Sequence, residues 1–195
     1  MGPRALPPKP RDPAKAHSAL KQRAAAASVG ASTILAAVKL AAGFGSGSLA
    51  LISEGAHNTL DIGASALTLF AVREADKPAD ADHPFGHAKF EAVAALAETG
   101  FLSALAIVVA IQAIGRIRGG DVAVDANAFA IGAILFSIAV DAVRWRTLTH
   151  VARLTSSHAL FADALHYSSD LISSVLVLAG LAATRAGYAH ADALA

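Results

Sequence analysis

Five long apolar stretches, roughly at 24–44, 48–72, 92–114, 126–143 and 159–183, leave this chain few folds to choose from. Each has about the 17–25 residues that a helix needs to cross a bilayer. Of the 195 residues 55% are apolar and 16% charged, and the mean hydropathy is +0.52. That leaves too little polar surface to wrap five such helices in water. The expected fold class is therefore an all-α integral membrane protein. Its transmembrane domain covers 24–195 as a bundle of five helices, and the apolar run at 188–195 reads as the start of a sixth. Residues 1–23 hold five of the seven prolines and six of the sixteen Lys and Arg, and read as a basic, mobile cytoplasmic tail. The net charge of +1 gives no basic face for a nucleic acid. With no cysteine, any metal must sit on nitrogen and oxygen.

Basic residues set the expected orientation. The tail and the connections at 73–91 and 144–158 carry 12 Lys and Arg, against 3 on the other side, which puts the N-terminus in the cytoplasm of a multi-pass protein of the inner membrane. Helices 1, 3 and 5 then run outward and helices 2 and 4 inward.

An internal repeat carries the chemistry. Residues 48–61, SLALISEGAHNTLD, match 157–170, SHALFADALHYSSD, with identity at Ser48/Ser157, Ala50/Ala159, Leu51/Leu160, His57/His166 and Asp61/Asp170. The copies fall on helices of opposite direction, so the repeat is inverted, an arrangement that transporters place around a midplane site. The i, i+4 spacing sets each His beside its Asp on one helix face. Two opposed faces offer two imidazole nitrogens and two carboxylates, a set that suits tetrahedral Zn²⁺. Ligand type alone also admits Co²⁺, Ni²⁺, Fe²⁺ and Mn²⁺. A carboxylate at the bilayer centre costs about 2.5–3.5 kcal/mol, so two of them call for a cation or a proton. Interhelical His–Asp hydrogen bonds that only hold the bundle together are the simpler alternative.

At HNTLD, ADALHYSSD and DHPFGHAKFE, in that order, the chain resembles the cation diffusion facilitator family of divalent-metal transporters, over 24–195. The resemblance implies six helices, a homodimer at full length, a cytoplasmic C-terminal domain that this sequence lacks, and metal export against protons. It also implies that His57, Asp61, His166 and Asp170 form the transport site. The family varies between His and Asp at the first of these positions, and His57 resembles the zinc-selective branch. Zn²⁺ is then cargo, and no prosthetic group is implied.

The loop PADADHPFGHAKFE at 78–91 spaces Asp80, His83 and His87 by three and four residues. Three such ligands with a water could hold a second metal on the cytoplasmic side, and the resemblance places a loop site here; Asp82 is the alternative carboxylate. Among other polar residues, Lys39 is expected to snorkel to the interface. Asp141 and Arg144 are expected to form a local salt bridge. Glu98 is a candidate for cation entry, and Glu54 and Asp163, one turn before each ligand His, for orienting the imidazoles. A proton-coupled exporter is the preferred function. A metal-binding membrane fragment that moves nothing, and a membrane zinc enzyme with an open coordination position, are the other two.

Overall fold

The computed structural model describes residues 13–46, 49–119 and 128–185. These form five helices: α1 (Pro13–Ser46), α2 (Leu49–Ala75), α3 (Lys89–Gly119), α4 (Ala128–Thr155) and α5 (His158–Arg185). The expected start of a sixth helix at 188–195 lies outside the described residues.

The helices are longer than the apolar stretches that announce them. α1 starts at Pro13 and not at residue 24, so residues 13–23 are helix rather than mobile tail. Proline suits a first helical position, where its missing N–H is not needed. The basic segment 144–155 is the end of α4, which leaves Ser156 and Ser157 as the link to α5. Likewise α2 runs on to Ala75 and α3 to Gly119. The reason is physical: hydropathy reports where lipid is, whereas a helix continues into water as far as its own hydrogen bonds carry it. The 28 residues of α4 span about 42 Å, more than the roughly 30 Å of hydrocarbon.

Local chemistry sets the turns. Ser156 takes a left-handed φ of 52°, which ends α4, and the Ser157 N–H closes that end on the Ala152 carbonyl at 3.1 Å. The Ser157 hydroxyl caps α5 by accepting from the Leu160 N–H at 3.3 Å, and donates to Glu91. Lys21 of α1 is tied to Asp76 at 2.7 Å and to Glu91 at 2.8 Å. The segment read as a free tail is thereby pinned to both ends of the loop 76–88. Burial alone pushes the Asp76 carboxyl up, but hydrogen bonds from Lys21 and Ser18 outweigh it and hold it below its ordinary range.

α1 packs along α2 and α4 along α5, while α2, α3 and α5 touch one another. Small residues make the close contacts: Ala24, Ala25, Ala71, Ala152, Ala159 and Ala164 belong to one buried cluster with Leu148, Leu160 and Tyr167. Gly55 marks the tightest approach. A Cβ there would lie 2.7 Å from Leu40 Cγ and 3.0 Å from Leu40 N.

The distribution of polarity is the reverse of that in a water-soluble bundle. Ser32, Asp61, Ser65, Thr68, Glu98, Asp163 and His166 are buried, while Ile34, Phe70, Leu96, Ile107 and Ile172 face outward. Among the described residues, Pro13–Gly45 and Lys89–Val108 are long and apolar enough to cross a membrane by composition alone.

Candidate metal centre

The two repeat copies meet in register. His57 and Asp61 are the ninth and thirteenth residues of α2, and His166 and Asp170 the ninth and thirteenth of α5. His57 Nε2 lies 3.8 Å from Asp61 Oδ1 on its own helix and 3.9 Å from Asp170 Oδ1 across. His166 Nε2 lies 3.2 Å from Asp170 Oδ2 on its own helix and 3.1 Å from Asp61 Oδ1 across. As sequence number rises on α2 it falls on α5, so the helices are antiparallel here. Each His stands level with the other helix's Asp.

The four contacts form a ring. In a tetrahedron with metal–ligand bonds of 2.0–2.1 Å, ligand atoms sit about 3.3 Å apart. Two edges of the ring are near that value, and the two at His57 need to shorten by about half an ångström. His57, Asp61 and Asp170 already offer ligand atoms that all lie within 4.8 Å of one another. The His166 imidazole is fully buried, and its Nδ1 has no hydrogen-bond partner among the described residues.

Access to the ring is one-sided. The Asp61 and His166 side chains are 1% and 0% exposed, whereas His57 and Asp170 are 38% and 23% exposed. These two face a cavity of about 190 Å³, lined also by Lys39, Glu54, Asn58 and Asp141, at the end where α1 passes to α2. Toward the loop 76–88 the path is filled by polar contacts among four helices. Tyr167 Oη lies 2.6 Å from Ser65 Oγ and 3.2 Å from Ser32 Oγ. Ser28 donates to Asp163 at 3.0 Å. The Arg144 guanidinium donates to Ser32 Oγ at 2.7 Å and to Ser28 Oγ at 3.0 Å, and lies 3.3 Å above the centre of the Tyr167 ring.

Several expectations change on this geometry. Lys39, expected to snorkel, is instead buried and pairs with Glu54 at 3.2 Å, a carboxylate that offsets its charge within the bundle. Glu54 therefore serves Lys39, and Asp163 serves Ser28 and Ser65, so among the described residues neither is hydrogen-bonded to His57 or His166. Asp141 and Arg144 do pair, at 3.5 Å, but most of the guanidinium's contacts reach α1 and Tyr167. Glu98 is buried in the bundle and accepts from Thr68 at 3.2 Å, where an entry site would need an exposed carboxylate. Two participants carry no sequence signal of their own. Asn58 Nδ2 donates to Asp61 Oδ2 at 2.8 Å, and Tyr167 bridges two serines. Both directly follow a His of the ring.

The loop set also assembles. Asp80 Oδ1 accepts from the His83 N–H at 2.7 Å and lies 3.2 Å from His83 Nδ1; its Oδ2 lies 3.4 Å from His87 Nε2. His87 Nδ1 donates to the Pro78 carbonyl at 3.1 Å, which fixes the ring with Nε2 toward Asp80. Gly86, with φ of 78°, makes the turn that brings His87 back. The hydrogen bond from the His83 backbone, foremost, holds the Asp80 carboxyl below its ordinary range. Asp82 contributes only its backbone N–H to Asp80, at 3.1 Å, and its carboxylate is not among the grouped ligands.

Comparison with known proteins agrees with the fold. The cation efflux transmembrane domain matches residues 25–195. The "Uncharacterized transporter MJ0449" of Methanocaldococcus jannaschii is 35% identical over 167 residues, covering 83% of this chain and 57% of that protein. The "Cation-efflux pump FieF" of Shigella boydii is 33% identical over 184 residues, 92% of this chain and 60% of the pump. The pump of that name from Yersinia pestis is 34% identical over 176 residues, 88% and 57%. The chain thus spans about three-fifths of the length of these relatives. A family match over nearly the whole chain, on an all-helical bundle whose polar residues face inward, makes it a member of the cation efflux family.

Proposed function

We propose that the chain is the transmembrane part of a proton-coupled exporter of divalent metal, with zinc the preferred cargo. His57, Asp61, His166 and Asp170 are its transport site. The ring of four His–Asp contacts between α2 and α5 carries this reading, because holding helices together needs no duplicated ligand set. Four ligands drawn onto one metal would close the shell and leave no position for an activated water, which argues against a zinc enzyme.

The coupling follows from the ligands. Metal requires neutral imidazole and ionised carboxylate, so loading releases protons, and protons arriving from the far side displace the metal. They also neutralise the buried carboxylates for the return. With the N-terminus in the cytoplasm, the cavity at His57 and Asp170 opens outward and the Arg144–Tyr167 contacts close the inner path. The inner-membrane location and a homodimer at full length belong to this same reading. Asp80, His83 and His87 form a second, cytoplasmic metal site.

Calorimetry of Zn²⁺ binding to the detergent-purified chain, across pH, tests it. Binding with proton release is expected, and His57→Ala/Asp170→Ala is expected to abolish the intramembrane component. Binding that survives that double change in a His83→Ala/His87→Ala background would refute the assignment.

A further inference from the structure

We infer that Asn58 is a positioning residue that makes Asp61 a one-oxygen ligand and so biases the site toward a four-coordinate cation; this rests on the transport site proposed above. The two Asp61 oxygens have separate partners. Oδ2 accepts from Asn58 Nδ2 at 2.8 Å, whereas Oδ1 faces His166 Nε2 at 3.1 Å and His57 Nε2 at 3.8 Å. An ionised carboxylate only accepts, so the amide nitrogen must be the end that faces it. Asn58 is buried, and its Oδ1 has no partner, so Asp61 alone holds the amide in the described structure.

The second repeat copy lacks this clamp. Tyr167 occupies the matching place, and its hydroxyl goes to Ser65 and Ser32. Asp170 turns one oxygen toward His57 and the other toward His166, and its side chain is 23% exposed against 1% for Asp61. The site thus pairs one fixed carboxylate with one adaptable carboxylate. A metal that takes four single N and O ligands fits this arrangement. A cation that prefers six needs additional oxygens, and a two-oxygen Asp61 is the nearest source. Asn58 occupies that second oxygen.

The test uses Co²⁺ as a spectroscopic probe, since four-coordinate cobalt absorbs visible light far more strongly than six-coordinate. The whole chain is studied in detergent, with His83→Ala/His87→Ala removing loop binding. Asn58→Leu deletes the donor at similar volume, and Asn58→Ala deletes it with less bulk in case the first variant misfolds. Weaker Co²⁺ bands are expected in both, with Zn²⁺ affinity lowered about 10–100-fold, the range for lost partners of metal ligands. Mn²⁺ affinity is expected to fall less, so the Zn²⁺:Mn²⁺ ratio drops. An unchanged spectrum with an unchanged ratio in a folded Asn58 variant overturns the role of Asn58. His57→Ala/Asp170→Ala tells the two failures apart: if it keeps the wild-type cobalt spectrum, the cargo is elsewhere and the transport site falls together with this role.

Discussion

Replacing Arg144 with methionine keeps most of the side chain's length and removes its charge. In the wild-type bundle Arg144 is 5% exposed, and its guanidinium pairs with Asp141 at 3.5 Å, donates to Ser28 and Ser32, and lies 3.3 Å from the Tyr167 ring centre. Removing one partner of a buried pair costs about 3–5 kcal/mol, because the other charge is left behind. The lost cation–π contact, about 2 kcal/mol when desolvated, is offset in part because methionine has no charge to desolvate. A net loss of about 3–5 kcal/mol is expected, a large share of the roughly 5–15 kcal/mol that holds a typical protein together. Denaturant titration in detergent, followed by helical circular dichroism, measures it. Arg144→Met/Asp141→Asn removes both charges and is expected to be more stable than Arg144→Met alone. A loss below about 1 kcal/mol, the scale of a surface pair, would mean that water reaches Arg144 and that the path toward the loop is not closed.

Gly55→Ala places a methyl group 2.7 Å from Leu40 Cγ, and overpacking of this kind costs about 1–3 kcal/mol, which a lowered Tm reports. For Asp76, whose folded pKa is depressed, the stabilisation is present above the unfolded value near 3.8 and is lost as pH falls through the lower folded value. The wild type is therefore expected to lose up to about 1 kcal/mol relative to Asp76→Asn on acidification below about pH 4, less in high salt; parallel melting curves from pH 6 to pH 2 would refute it. His83→Ala/His87→Ala is expected to lower the zinc stoichiometry by one while leaving binding at the intramembrane site intact, and a titration of zinc per chain checks this.

The meeting of His57, Asp61, His166 and Asp170 was legible because their spacing is written twice. HxxxD on one helix is common, but a second copy on an oppositely directed helix fixes depth, register and partner together, and His57–Asp170 and His166–Asp61 meet as that pattern requires. The cluster of Asp80, His83 and His87 was legible for a related reason, since spacings of three and four bring side chains together in a turn as they do on a helix. Helix ends were not. Residues 13–23 and 144–155 are polar, and polarity marks the end of the lipid, not the end of the helix. Arg144 misled in another way. Asp141 one turn away offered a sufficient local partner, so nothing in the sequence pointed to Ser28, Ser32 and Tyr167. Lys39 and Glu54, fifteen positions apart on different helices, could be paired only once Gly55 had let α1 and α2 close.

The reversed polarity of the bundle bears on how its stability varies with temperature. In a soluble protein, unfolding wets apolar surface and raises the heat capacity, which bends the stability curve into a dome. Here Ile34, Phe70, Leu96 and Ile107 already face outward, so separating the helices within a bilayer hydrates little new hydrocarbon. What it uncovers is Ser32, Ser65, Asp61 and Asp163, which meet lipid and not water and so add little to the heat capacity. Stability in lipid is therefore expected to fall nearly linearly on warming, without the cold-side maximum of a water-soluble domain of the same length.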